Sequence, residues 1–278
     1  MDLSIAIVSW NTRHLLHQCL LSLPESALGL QYEVVVVDNA STDGTQTLVK
    51  ERYPSVVLIA NADNVGFTKA NNQALETSTG RHFLLLNPDT VCSGGALSTL
   101  VRFLDDHQEV GAVGPLVLNP DRTLQFSWAR FPTLWLEVCG KLDRRIEGVR
   151  GIPINPEAVK ALGPFKTDWI GGCCMMVRRE AIAQVGPIDE RYFMYCEELD
   201  WCYRMRKVGW QVYVEPASEI IHFGGQSSMQ SSAKAEGYLR RSKSLFFAKH
   251  HGRASGMLLG SLLAIKHSCK QVRKALRV

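Results

Sequence analysis

An α/β fold built on a mostly parallel sheet is predicted by three observations. Apolar runs of strand length recur four times in the first 90 residues, at positions 3–8, 32–37, 56–59 and 83–86. Each run is apolar at nearly every position rather than at alternate ones, as in strands covered on both faces. Helix-length segments separate them, so the order is strand–helix repeated, with helices on both faces of the sheet. A C-terminal helical tail is expected after it: from Lys234 onward the chain holds eleven Lys or Arg and one acid, Glu236.

The bulk numbers agree with a globular protein. A length of 278 residues fits one large domain or two modest ones, and 46% hydrophobic with 21% charged content excludes disorder as the main state. The eight cysteines lack paired zinc-type spacing, and no secretory signal precedes the first strand, so free thiols in a reducing cytoplasm are expected.

In chain order, the first strand breaks at Ser9-Trp10-Asn11-Thr12. Thr12 caps a helix with Leu15, Leu16, Cys19, Leu20 and Leu23 on one face, and Pro24 stops it. The second strand ends at Asp38, followed by a polar turn and a helix over 45–53. The third gives way to the polar stretch 61–66 and a helix over 67–76. The fourth runs into Asn87-Pro88-Asp89. A helix is expected over 95–107, strands over 110–113 and 116–118, a turn at 119–122, and a hairpin partner over 123–128. Gly, Pro and charge over 139–164 predict a long loop. A strand over 173–177 and a short helix beginning at 178 follow. Next come three acids set among aromatics, Glu197, Glu198 and Asp200, opening a helix over 198–208 that Gly209 closes. A strand over 211–214 precedes the tail. There, residues 237–250 form a helix and 254–265 are apolar, too short for the roughly twenty residues of a membrane span. Lys266, Lys270, Arg273, Lys274 and Arg277 follow without an acid. This pattern suits a helix lying on an anionic membrane surface; a helix packed on the domain with a solvated basic face is the other reading. The domains are therefore 1–230, divided into a nucleotide-binding half (1–118) and an acceptor or catalytic half (119–230), and a basic tail at 231–278.

Ligands of such sheets bind beyond the carboxyl ends of the strands. Ser9, Asp38, Asp63 and Asp89 all sit there. An Asp closing the second strand suits a ribose hydroxyl or a base N–H. Neither GxGxxG nor GxxxxGK[ST] is present, so a phosphate-bearing ligand needs a cation rather than a glycine cradle, which points to Asp89. Plainer roles exist for each residue: a turn cap at Asp38, a helix cap at Asp89, a first-turn acid at Glu198, a structural histidine at His222. The aromatics Tyr192, Phe193 and Tyr195 suit the core better than a sugar platform.

The stretches IVSWNT, VVVDNASTDG, NxDNVGFTKANN, LLLNPDT, WIGGCCMMVRRE, GPIDERYFMYCEELDWCYR and HFGGQS occur in this order over about residues 3–228. With them the chain resembles the inverting family 2 glycosyltransferases of the Rossmann-like GT-A fold, and among these the rhamnosyltransferase-like bacterial branch that builds surface polysaccharide. The resemblance implies transfer of a sugar, with deoxythymidine diphosphate-rhamnose the leading donor, to a glycan or lipid-linked acceptor. It implies Mg²⁺ or Mn²⁺ as cofactor, no nucleic acid partner, and a cytoplasmic place, peripheral at the inner face of the cytoplasmic membrane. Residue by residue, it sets Ser9, Asn11 and Asp38 in the nucleotide pocket and Asp63, Asn64 and Gly66 near the base. Asn87 and Asp89 stand at the ends of a DxD-type motif, so Asp89 is the main metal anchor, Asn87 a neutral oxygen donor, and His222 a further ligand. Glu198 matches the base, with Asp200 its rival, and the charges of Glu197 and Asp200 are expected to raise the proton affinity of Glu198. Trp169, Gly171, Gly172 and Glu197 fall on the acceptor side. Because Asn87 and Glu198 depart from the usual acids, a non-catalytic nucleotide-sugar-binding or scaffold protein of the same fold is a second reading. A nucleotidyltransferase is a third, for which SWNTR is a poor match to a Gly- and Arg-rich loop.

Overall fold

The computed structural model describes residues 1–147, 149, 155–224 and 232–275. The expected boundary at 230/231 and the Gly225-Gln226-Ser227 end of the last motif lie outside the described residues, as does part of the loop expected over 139–164.

The first half alternates as its apolar runs predict: β1 (Leu3–Ser9), α1 (Arg13–Ser26), β2 (Tyr32–Asp38), α2 (Thr45–Arg52), β3 (Val57–Ala60), α3 (Phe67–Thr77) and β4 (His82–Leu86). Next come β5 (Thr90–Cys92), α4 (Ala96–Asp106), β6 (Val110–Leu118), β7 (Trp128–Ala129), α5 (Leu134–Cys139) and α6 (Pro156–Ala161). Then β8 (Phe165–Thr167), β9 (Trp169–Ile170), β10 (Cys174–Arg178), α7 (Arg179–Val185), α8 (Glu197–Lys207) and β11 (Gln211–His222) lead to α9 (Ser232–His251) and α10 (Arg253–Ala275).

The sheet order is β3-β2-β1-β4-β10-β6-β11-β5, with β8 added on β11, and β7 pairs with β9 in a small second sheet. β1, β2, β3 and β4 are parallel, β10 is antiparallel to both β4 and β6, and β11 is parallel to β6. β3, β2, β1, β4, β6 and β11 therefore point one way. Their carboxyl ends bring Ser9, Asp38, Asn87 and His222 to one edge. Alternate residues of the central strands enter opposite layers. Ile5, Ile7, Leu84 and Leu86 join one core with Leu16, Leu100 and Leu104, while Ala6, Val8, Phe83 and Leu85 join the other with Ala70, Trp201 and Met205.

Three prolines lie inside elements rather than at their ends. Pro24 lies inside α1, in its last turn, rather than stopping it. β6 runs unbroken through Pro115 where two strands were expected, because Pro115 sits beyond the pairing with β10 and beside an irregularity in β11. That break in the ladder leaves no bond for the missing N–H to make. Likewise β11 continues through Pro216 to His222, with a register shift between Glu215 and Glu219. Thr12 stands at the start of α1 but makes no cap; its hydroxyl meets Ser9 Oγ at 2.9 Å. The hairpin expected over 123–128 reduces to a single bridge from Leu124 to Leu118, and Trp128 pairs with Ile170 instead. The loop expected over 139–164 contains α6, capped by Asn155.

The two tail helices pack on the second half of the domain. Phe246, Phe247 and Leu259 are buried with Tyr192, Cys196 and Leu199. Gly256 permits the close approach of α9 and α10, since a Cβ there would lie 2.5 Å from Ala248 Cβ. No helix among the described residues is long and apolar enough to cross a membrane.

Candidate active site

A cleft of about 520 Å³ opens at the carboxyl edge of the sheet. Asn87, Asp89 and His222 line it together with Trp169, Gly171, Gly172, Glu197 and Glu198. Residues more than a hundred positions apart meet here because β4 and β11 end at the same edge, and α8 starts above it.

On one side, Asp89 is held just past β4 and is 6% exposed. His222 Nε2 lies 3.2 Å from Asp89 Oδ1 and 3.3 Å from Asn87 Nδ2. The opposite ring nitrogen, Nδ1, is 2.6 Å from Gln125 Oε1. The Gln125 amide is itself oriented, since its Nε2 donates to Asn119 Oδ1 at 2.8 Å and to the His222 carbonyl at 3.1 Å. Gln125 Oε1 is thus an acceptor, and the imidazole carries its proton on Nδ1. The Nε2 lone pair then faces both the Asn87 amide and the Asp89 carboxylate. Asn87 presents its N–H there, so at this point it is a donor to His222 rather than the expected oxygen ligand. Two acceptors 3.2 Å apart require a cation between them, either a second proton on His222 or a metal ion. That separation is close to the roughly 3 Å edge of an octahedron whose bonds are about 2.1 Å. A carboxylate and an imidazole whose other nitrogen is anchored are a fitting pair of ligands for Mg²⁺ or Mn²⁺.

On the other side, Tyr195 and Cys196 adopt left-handed backbone, with φ of 70° and 64°. Two such residues in succession are costly for side-chain-bearing residues, about 1–3 kcal/mol each. They turn the chain sharply into α8, so that Glu197 and Glu198 occupy its first turn, where the helix dipole favours negative charge. Gly172 faces Glu198 across the cleft, where a Cβ would make an ordinary contact with Glu198 Cβ at 3.9 Å. Burial pushes both carboxyls above the ordinary range. For Glu197 the charge of Glu198 adds to burial, whereas hydrogen bonds from backbone N–H groups and from Glu197 partly offset burial at Glu198.

Asp200 is elsewhere. It is fully buried beneath α8, away from the cleft, held by Arg204 at 2.9 Å, Lys249 at 2.7 Å and His250 at 2.7 Å, with the Tyr192 hydroxyl at 3.3 Å. Burial alone would raise its pKa, but the hydrogen bonds from His250 and Lys249 and the charge of Arg204 outweigh it and hold the carboxyl below the usual range. Its charge is absorbed by these partners, so the expectation that the charges of Glu197 and Asp200 raise the proton affinity of Glu198 is corrected: burial does so, and the hydrogen bond with Glu197 works against it. Tyr192 belongs to the same buried cluster, Phe193 stacks on Tyr238, and Tyr195 lines the cleft.

The expected nucleotide residues gather at the ends of β1, β2 and β3, beside the cleft rather than on its wall. Ser9 and Asp38 are fully buried. Asp38 Oδ2 accepts from the Ser41 N–H and from Gln46 Nε2, while its Oδ1 is buried with no partner among the described residues. A carboxylate oxygen in that state is where a ribose hydroxyl or base N–H is wanted. Asn11 has φ of 52° and its Oδ1 accepts from the Thr42 N–H at 2.8 Å. Asn11 also borders a second hollow of about 570 Å³ with Arg13, His17 and Arg52, which contains none of the other expected site residues. Asp63 and Asn64 are exposed, and Asn64 Oδ1 accepts from the Gly66 N–H. Gly66, at φ of 91°, is required by packing: a Cβ there would fall 2.7 Å from the Phe193 ring. On the acceptor side, Trp169 Nε1 donates to the Arg130 carbonyl and Gly171 N–H to the Ser127 carbonyl.

Gln125, Lys249 and His250 escaped the sequence reading. None lies in a chemically suggestive motif, and their partners are 97, 49 and 50 residues distant.

The sheet edge thus carries a carboxylate–imidazole pair across one cleft from two adjacent glutamates, Glu197 buried and Glu198 half-buried. Residues 4–186 match glycosyl transferase family 2. Over 237 residues the chain is 30% identical to the N-acetylglucosaminyl-diphospho-decaprenol L-rhamnosyltransferase of Mycobacterium tuberculosis, covering 78% of this chain and 75% of that protein. It is 26% identical over 155 residues to the rhamnosyltransferase WbbL of Escherichia coli K12, covering 55% and 56%. In fold it is similar to the mannosyltransferase PcManGT of Pyrobaculum calidifontis, solved with GDP-Man and Mn²⁺, with a TM-score of 0.62 at 16% identity over 98% of this chain and 75% of that one. It is also similar to S. aureus TarS 1-349, with a TM-score of 0.58 at 15% identity over 96% and 72%. The chain belongs to glycosyl transferase family 2 and is a glycosyltransferase.

Proposed function

We propose that this chain catalyses an inverting, metal-assisted transfer of a sugar, with rhamnose from deoxythymidine diphosphate-rhamnose the leading donor, to a glycan or lipid-linked acceptor in cell-surface polysaccharide synthesis. The observation that carries the reading is the meeting of Asp89 and His222 with Glu197 and Glu198 in one cleft. The rhamnosyltransferase names of the M. tuberculosis and E. coli relatives support the choice of sugar. The same M. tuberculosis name supports a lipid-linked acceptor, and with it a peripheral place at a membrane.

Asp89 and His222 would hold the divalent ion, which would supply positive charge against the charge developing on the departing diphosphate. Gln125 keeps the His222 lone pair aimed at it. Asp38, through its unpartnered Oδ1, takes a donor group of the nucleoside, with Ser9, Asn11, Asp63, Asn64 and Gly66 shaping the surrounding loops. Glu198 accepts the proton of the acceptor hydroxyl as that oxygen bonds to the anomeric carbon and the bond to the diphosphate breaks on the opposite face. Glu197 steadies Glu198 through the hydrogen bond between the two carboxyls. Trp169, Gly171 and Gly172 form the acceptor wall. A panel of nucleotide sugars assayed with and without Mn²⁺ tests this. Turnover of one donor class, abolished by chelator, is expected. Tight diphosphate binding without turnover of any donor would instead favour a non-catalytic binding protein.

A further inference from the structure

We propose that the groove between α9 and α10 binds the phosphate of an anionic phospholipid, seating the exposed apolar face of α10 on a bilayer surface. The inference deepens the peripheral membrane placement proposed above.

The groove measures about 1060 Å³ and carries Arg191, Arg241 and Arg253 beside Leu245, Met257 and Ser261, with no acid in its lining. Arg191 is paired with Asp189, whose charge Lys249 shares. Arg241 and Arg253 have no ion pair among the described residues. Two uncommitted guanidiniums and a hydroxyl suit a phosphate, which accepts bidentate N–H bonds.

Beside this cationic groove lies an apolar surface that packing does not explain. Between Ala254 and Ile265 there is no charged residue. The inner side of this segment is used up: Gly256 and Leu259 are buried against α9 and its neighbours. Yet Met257 is 68% exposed, Leu258 51% and Ile265 61%. Leu258 and Ile265 are seven residues apart, two turns along one face. Trp135, 73% exposed on α5, stands on the helix that α10 touches through Lys266 Nζ and the Val138 carbonyl. Aromatic residues of this kind favour the membrane–water interface.

Met257 belongs both to the groove and to the apolar face, so cationic and apolar surfaces are continuous. A free phosphate ion has no use for the apolar part, and a neutral lipid none for the arginines. An acidic phospholipid uses both. With no described helix able to cross a membrane, the contact is one of lying on the surface.

The test is flotation of the full chain with vesicles of phosphatidylcholine alone or with 30% or so phosphatidylglycerol, alongside the double variant Arg241→Glu/Arg253→Glu and the variant Met257→Ser/Leu258→Ser. Wild type is expected to float only with phosphatidylglycerol, and each variant to lose about tenfold or more in partitioning, in line with the per-residue contribution of basic side chains at acidic surfaces. Melting temperature and donor hydrolysis in solution are expected to stay at wild-type levels in both variants. Equal flotation on neutral vesicles, undiminished flotation of the arginine variant, or displacement from vesicles by millimolar inorganic phosphate overturns the proposal. So does a solution dimer that buries Met257 and Leu258. Donor hydrolysis is read separately, so failure to float leaves the transferase reading standing, and absent hydrolysis with normal flotation sinks that reading alone.

Discussion

The two walls of the cleft are held in different ways. Asp89 stands just past a strand whose every residue is buried, in the middle of the sheet between parallel β1 and antiparallel β10. Glu198 stands at the start of a helix entered through two left-handed residues, and that helix is fastened by α9, the first of the two tail helices, through Asp200. The first wall is set where strands end, with β11 bringing His222 to Asp89 and Gln125 holding the ring. The second depends on residues about fifty positions later in the chain. Strand ends thus place the first wall, whereas the tail holds the helix that carries the second.

The sharpest separation between the walls comes from Glu198→Gln. Turnover is expected to fall by about 10²–10⁴-fold, the usual worth of a positioned base. In the wild type, kcat should rise with pH through a pKa above the ordinary glutamate value, because burial raises it and only the ionised form accepts a proton. A flat pH profile would remove Glu198 as the base.

Next in size is the link to the tail. Lys249→Met takes one cation from Asp200 and Asp189, leaving Arg204 and His250 on the former. A loss of about 1.5–3 kcal/mol is expected for hydrogen bonds to a buried charge. Thermal unfolding should register that loss, and kcat should drop while the dissociation constant of the nucleoside diphosphate stays put. Equal loss of donor binding would show that the two walls are not independent.

On the opposite wall, Gln125→Ala frees the His222 ring. Weakening of Mn²⁺ affinity by about 10–100-fold is expected from losing such an orienting partner. Electron paramagnetic resonance of bound Mn²⁺ measures this without turnover, and unchanged affinity would mean His222 is oriented by other contacts.

The smallest effect concerns pH and stability. Glu197 binds its proton more tightly folded than unfolded. Its contribution to stability is therefore complete below the unfolded pKa and declines as pH rises toward the folded one. Glu197→Gln should flatten that decline in denaturant titrations between mildly acidic and neutral pH, whereas an unchanged slope would place the titration elsewhere.

The same contrast explains what was legible in the sequence. The strands and helices of the first half are each announced by a local pattern, and Asp89 by the abrupt end of an apolar run. Glu198 was reached through a motif, but the motif could not orient adjacent acids. Glu198 and Asp200 are two residues apart on α8, and that rotation sends one to the cleft and the other into a cluster of cations from α8 and α9. Gln125 was illegible because its importance lies in a hydrogen bond to a ring 97 residues away. The continuations of β6 through Pro115 and of β11 through Pro216 were illegible because the sequence does not show where a ladder is already broken.

The division of labour is tested most directly by calorimetric titration of Mn²⁺ and the nucleoside diphosphate into Asp89→Asn and Glu198→Gln side by side. Asp89→Asn is expected to lose the metal-dependent part of diphosphate binding, and Glu198→Gln to bind as the wild type does. Wild-type metal-dependent binding by Asp89→Asn, or its loss in Glu198→Gln, would contradict it.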